Sequence, residues 1–377
     1  MHSFRNDYSE GCHPAVLEAL TRTNFEQADG YTDDEYCGEA RSLIRDELVR
    51  SVVASGATKA EAATAAHAQV EFVPGGTMAN LLVITSALRP HECVISAPEG
   101  HINMHETGAI EANGHKVVTT DDTCGLLSVE GVDKVMQHHC YRSDYHMVYP
   151  RMLYLSFATE MGLTHSAQQL RDLRAYADRY DLLIYIDGAR LACGLASPAN
   201  DVTLGDIFQC ADAFTFGGTK NGALFGEAIV IKNPLIGSAF RSLMKQKGAV
   251  MAKGRLLGVQ FGALFGMSGS EAQVPEACGD ELLYFSLGRH SVQAALQVKH
   301  ILAKHGFSSF ASDSYTNQQF VQVPHELVQF LVETFNCEEF GITDDGYTIV
   351  RFVCSWATTQ EHLDELDRVL GDFVSHL

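Results

Sequence analysis

Positive charge is scarce in this sequence. Twenty-seven Lys and Arg stand against 47 Asp and Glu, a formal net charge of −20, and such a surface repels phosphate backbones and anionic lipid. Neither nucleic acid nor a membrane surface is expected as a partner. Long apolar runs are missing as well: none reaches the roughly 18 residues that mark a spanning helix, and residues 1–7 are polar rather than a basic-then-apolar leader. The ten cysteines contain no CxxC pair and follow no regular spacing, in a chain too long to need disulfide staples. Reduced thiols in a soluble, cytoplasmic protein are the expectation. The GxxxxGK[ST] loop of nucleotide binding is also absent.

What is present is ordinary globular material, 46% hydrophobic and 20% charged over 377 residues, more than one compact core usually holds. From about residue 70 to 230, short β-rich runs alternate with longer helical ones. Strands are predicted at 70–73, 93–96, 116–118, 152–155, 182–186, 213–216 and 228–231. Helices are predicted from Thr77 to near Pro90 and over 166–180, where Leu170, Leu173, Tyr176 and Ala177 recur at helical spacing. That alternation predicts an α/β fold with a mainly parallel, doubly wound sheet. After about 245 the pattern turns helical, then yields β-rich runs at 320–323 and 347–353, the mark of a smaller α+β domain. The expected organisation is an N-terminal segment over 1–30, a large domain over 31–245 and a small one over 246–377.

Five segments carry candidate chemistry. The apolar run Ile184-Tyr185-Ile186 ends in Asp187, with Arg190 three residues later, at the carboxyl end of a strand where open α/β sheets bind ligands. Asp187 either caps the turn after the strand or keeps a pyridinium nitrogen protonated. Gly217-Gly218-Thr219-Lys220 follows the next strand. Its lysine is either a surface residue on a glycine turn or an amine, given room by the glycines to form and break an imine with a bulky ring. Gly75-Gly76-Thr77 opens a helix, whose N–H groups and dipole favour an anion such as phosphate. His101 follows the 93–96 strand, where an imidazole can stack on a planar cofactor or move a proton. His101 and His105 are four apart but have no evident third ligand, so no metal site is predicted. His138-His139-Cys140 reads as a surface cluster. Arg351 interrupts an apolar strand, and its buried charge needs either a protein carboxylate or a substrate carboxylate.

Taken together, these residues resemble the threonine aldolase branch of the fold-type I enzymes that use pyridoxal 5'-phosphate, in the β-eliminating lyase group of the aspartate aminotransferase-like superfamily. The resemblance runs over nearly the whole chain. Residues 4–11, with Ser9, look like the family's N-terminal active-site segment. Tyr31 lies in the loop that in the family reaches toward a neighbouring subunit. Residues 76–80 are similar to the phosphate-binding turn, His101 to the histidine that stacks on the ring, and Glu106 to the acidic residue after it. Asp187, Arg190 and Lys220 match the pyridinium partner, a carboxylate ligand and the cofactor-bearing lysine, with Thr219 beside it. Arg351 resembles the second carboxylate ligand.

Two positions depart from the family pattern. Many threonine aldolases carry Asn-Thr-His-Asn-Gly where this chain reads Ala158-Thr159-Glu160-Met161-Gly162, and Lys253 stands where an arginine is expected near the phosphate or the lysine. Glu160 is therefore a candidate acceptor of a hydroxyl proton, alongside His101. The resemblance implies a lyase that cleaves L-threonine, L-allo-threonine or a related β-hydroxy-α-amino acid to glycine and an aldehyde. Another amino-acid lyase, an aminotransferase and a non-catalytic pyridoxal phosphate binder are the alternatives. It also implies a homodimer or homotetramer.

Overall fold

Strict alternation of side chains along the central strands sends Leu153, Leu155, Ile184 and Ile186 into one hydrophobic cluster and Met152, Tyr154, Leu183 and Tyr185 into another. A sheet clothed on both faces is the consequence. The computed structural model describes residues 2–140, 145–266, 281–343 and 345–376. Its large sheet contains β1 (Gln69–Val73), β2 (Glu92–Ser96), β3 (Lys116–Thr119), β4 (Tyr149–Ser156), β5 (Leu183–Asp187), β6 (Ala213–Gly217) and β7 (Glu227–Ile231), in the order β1-β7-β6-β5-β4-β2-β3. All seven strands expected from the sequence are there. The ladders from β3 through β6 are parallel. β7 runs antiparallel to both β6 and β1, because the short connection from β6 to β7 turns straight back.

The predicted helices form as well. Gly76–Ala87 follows β1. Ala167–Tyr180 starts from a capping box in which Ser166 and Gln169 satisfy each other's backbone N–H groups. A second sheet in the C-terminal region has the order β8-β10-β9, made of β8 (Gln318–Val323), β9 (Glu338–Ile342) and β10 (Thr348–Val353). The sequence reading predicts two of these three strands. β9 escapes it because Glu-Glu-Phe-Gly-Ile presents two carboxylates and a glycine instead of an apolar run.

The N-terminal segment is tied to this smaller sheet. Phe4 lies in its core cluster, donating its N–H to Phe335 O at 3.0 Å and accepting from Val353 N at 2.8 Å. Farther on, His13 N donates to Gly222 O at 2.9 Å, which brings the segment to the loop that carries Lys220. The nine cysteines among the described residues are unbridged, and Cys278 lies outside them. No helix among the described residues is long and apolar enough to cross a membrane.

Candidate active site

Two loops meet at the carboxyl ends of β5 and β6. Gly217 N donates to Gly188 O at 3.0 Å, and Gly188 N donates to Thr215 Oγ1 at 2.7 Å. A Cβ on Gly188 would stand 1.9 Å from Thr215 O, and one on Gly217 would stand 2.4 Å from Ala189 O, so only glycine fits either position. Gly218 is closed in the same way, by Gly226 O and Phe261. The glycines ahead of Lys220 therefore serve the contact of protein with protein, which corrects the reading that they clear space for a ring.

Those contacts hold the loop that carries Lys220 against the loop after β5. The Lys220 amine is driven below the ordinary lysine pKa first by burial and then by the positive charge of Arg190, against the opposing pull of Asp7, Asp187 and Glu227. A cavity of about 620 Å³ opens above it. Lys220, His101, Glu160, Arg190 and Arg351 line that space together with Tyr8, Met104, His105, Glu338 and Phe340.

Asp187 is buried, outside the lining of that cavity yet close enough to act on the Lys220 amine. Its Oδ2 accepts from Tyr154 OH at 2.7 Å and Asn80 Nδ2 at 3.0 Å, and its Oδ1 accepts from Ala189 N at 2.9 Å. Asn80 also donates to Glu106 Oε1 at 2.8 Å and accepts from Tyr185 OH at 2.7 Å. Glu106 Oε1 in turn stands 3.1 Å from His101 Nδ1. One amide thus links the histidine's acidic partner to the aspartate, and a Glu106 bond to Nδ1–H leaves Nε2 of that ring as an acceptor.

Glu160 sits at the other side of His101. Its Oε1 accepts the His101 backbone N–H at 2.9 Å and Ser156 Oγ at 2.6 Å, while Oε2 is buried without a hydrogen-bond partner among the described residues. Burial is the first cause that pushes this carboxyl above its ordinary pKa, and Asp187 adds to it.

The two arginines are already engaged. Arg190 grips Asp7 in a fork, Nε to Oδ2 at 2.6 Å and Nη2 to Oδ1 at 3.1 Å. Burial opposes the Asp7 charge, yet Arg190 and Lys220 outweigh it and hold the carboxyl below its ordinary pKa. Arg351 bonds to Glu338 and, at 3.3 Å, to Gln318.

Residues 11–326 match the family model described as β-eliminating lyase. The chain belongs to the β-eliminating lyase family. It is 38% identical to a solved threonine aldolase of Leishmania major, covering 99% of this chain and 100% of that one with a TM-score of 0.87. It is 25% identical over 371 residues to a low specificity L-threonine aldolase of Pseudomonas aeruginosa, spanning 97% of this chain and 96% of that protein. The fold is shared more widely. A high-resolution structure of SPT with PLP is 14% identical, with a TM-score of 0.66 over 100% of this chain and 88% of that one.

Within this lyase family member, some predicted site residues do not line the Lys220 cavity. Ser9 is exposed, its hydroxyl bonded to Asn6 at 2.9 Å, and its neighbour Tyr8 lines the cavity instead. Lys253 is exposed and lines a separate groove of about 930 Å³ with Asn24, Glu26 and Arg255. Tyr31 is exposed near it, its N–H bonded to Ala252 O at 3.3 Å and its ring 4.4 Å from Lys245 Nζ. Gly75, Gly76 and Thr77 open their helix beyond the lining of the Lys220 cavity. Thr219 stays in the lysine loop, where its hydroxyl accepts from Gly226 N at 3.0 Å. The rings of His101 and His105 are 5.5 Å apart, and among the described residues no group of three metal-ligating side chains forms.

Sequence reasoning singled out neither Tyr154 nor Ser156, and it placed Asp7 and Asn80 only within the longer segments 4–11 and 76–80. Each acts through a partner dozens of positions away or through a hydroxyl on an ordinary strand. A buried arginine at a strand end is the one signal that calls for a carboxylate such as Asp7.

Proposed function

We propose that this protein is a pyridoxal phosphate-dependent aldolase, acting on L-threonine, L-allo-threonine or a related β-hydroxy-α-amino acid and releasing glycine and an aldehyde. One observation carries the reading: a lysine amine of lowered pKa, a carboxyl oxygen without a partner among the described residues and two guanidinium groups line one cavity, with the buried Asp187 close enough to act on the amine.

The residues fit the cofactor. No side chain caps the helix beginning at Gly76, and the Cβ positions of Gly75 and Gly76 point into open space, as a phosphate cradle requires. Asp187 would hold the proton on a pyridine nitrogen, and Lys220 would bear the cofactor. When bound, pyridoxal phosphate supplies an aldehyde that condenses with amines and a ring that draws electrons from the bonds of the amino acid's α-carbon.

The chain's own residues do the rest. Arg351 would hold the substrate carboxylate and thereby set which α-carbon bond stands across the ring, while Arg190, fixed by Asp7, adds positive charge to the same cavity. Glu160 Oε2, the unpartnered atom, would take the β-hydroxyl proton, with Ser156 and the His101 backbone keeping Oε1 in place. His101 Nε2 is the second acceptor within the site.

We also propose a cytoplasmic protein of two or four copies, with an N-terminal segment over 1–30 and domains over 31–245 and 246–377. Phe25, 95% exposed, stands near the groove of Lys253, and an aromatic ring so placed suits burial against a second copy.

Purified enzyme given L-threonine, L-allo-threonine and phenylserine should release an aldehyde and glycine in equal amounts. New amino acid formed only when a keto acid is added would instead assign it to amino-group transfer.

A further inference from the structure

β9 and β10 place two opposite charges directly across from each other, since Arg351 pairs with Glu338 in the antiparallel register. The Glu338 carboxylate bonds to Arg351 Nη2. Of the other guanidinium donors, Nη1 reaches Gln318 Oε1 at 3.3 Å, and Nε is buried without a hydrogen-bond partner among the described residues. The guanidinium carbon stands 5.3 Å from the centre of the Phe340 ring. Arg351 thus has one arm of its fork on a protein carboxylate, inside the cavity where a substrate carboxylate would bind.

The two arginines of the site differ in how firmly they are held. Asp7 is 1% exposed and is also gripped by Asn317 at 2.9 Å, so leaving Arg190 would strand a buried charge. Glu338 is 39% exposed and belongs to an outer strand of its sheet. Water can solvate its carboxylate once it swings away. Exchange of one carboxylate for another is therefore open at Arg351 and closed at Arg190.

We propose that Glu338 is a specificity-determining residue that occupies Arg351 between turnovers and yields it to the carboxylate of the incoming amino acid. This rests on the reading of Arg351 as a carboxylate ligand. Glu338 then works as a built-in competitor: it weakens the binding of every α-amino acid by the cost of its own displacement. Once displaced, it remains beside Glu339 on the cavity wall, where the two charges disfavour substrates with an anionic side chain.

The test compares holoenzyme carrying Glu338→Gln, Arg351→Gln or both. Glycine affinity is read from calorimetric titration, and KM and kcat from aldehyde release with L-threonine. Glu338→Gln should tighten glycine binding and lower KM about fivefold, the scale of a partly exposed ion pair, with a smaller change in kcat. Arg351→Gln should raise the glycine dissociation constant and KM, and adding Glu338→Gln to it should change nothing further. If Arg351→Gln weakens glycine binding while Glu338→Gln leaves it unchanged or weakens it too, Glu338 positions the arginine and the competition is refuted. If Arg351→Gln leaves glycine affinity and KM unaltered, the carboxylate reading of Arg351 falls and the proposal falls with it.

Discussion

Asp7 and Arg190 lie 183 residues apart in the chain and form a two-bonded ion pair at 2.6 and 3.1 Å beside Lys220. The pair joins the N-terminal segment to the loop after β5. Asp7 is buried and Arg190 largely so, so removing one partner leaves the other charge uncompensated. Asp7→Asn should lower the unfolding free energy by about 3–5 kcal/mol, measured by urea denaturation. A loss within the error of the wild-type value would mean that the segment is held by Phe4 and its backbone bonds alone.

Glu160 and His101 compete for the role of proton acceptor, and pH separates them. The Glu160 carboxyl is shifted above its ordinary value of 4.5, chiefly by burial. If its ionised form takes the hydroxyl proton, kcat falls as pH drops through that raised pKa. Glu160→Gln keeps an oxygen for the His101 N–H and Ser156 bonds. It should cut kcat by about 10²-fold or more and remove that acidic limb. A limb unchanged in the variant would transfer the role to His101.

Glu227 is a buried carboxyl whose Oε2 accepts from Gly218 N at 2.9 Å. Burial raises its pKa from 4.5 to about 7, with Asp187 adding to the rise and Lys220 opposing it. The folded protein therefore favours the protonated form. Its contribution to stability is fully present below pH 4.5 and is lost as pH climbs through about 7. In cofactor-free protein, Glu227→Gln should melt increasingly above wild type as pH rises from 5 toward about 8. A difference in melting temperature that does not vary with pH would contradict this.

The large sheet was legible because its strands are apolar runs bounded by turns, and each strand expected between residues 70 and 231 formed. β9 was not, since its affinity for an edge comes from pairing with β10 rather than from its own composition. Within the site, a lysine and an aspartate after consecutive strands can be found by inspection, because strand ends converge in an open sheet. The bonds that hold them cannot. Asn80 reaches Asp187 across 107 positions and Tyr185 across 105, and no local pattern records a side-chain contact of that range. The glycine turn misled in the same way: its crowding comes from Ala189 and Gly226, which only the folded chain brings near.

The proposed chemistry turns on Lys220 as the residue that would carry the cofactor, with Asp187 as its acidic partner. It is tested most directly by the visible absorbance of purified Lys220→Ala protein reconstituted with pyridoxal phosphate, after gel filtration. The band seen in the wild type should be lost while the circular dichroism spectrum stays native. A variant that keeps the wild-type band through gel filtration would place the covalent attachment elsewhere and contradict it.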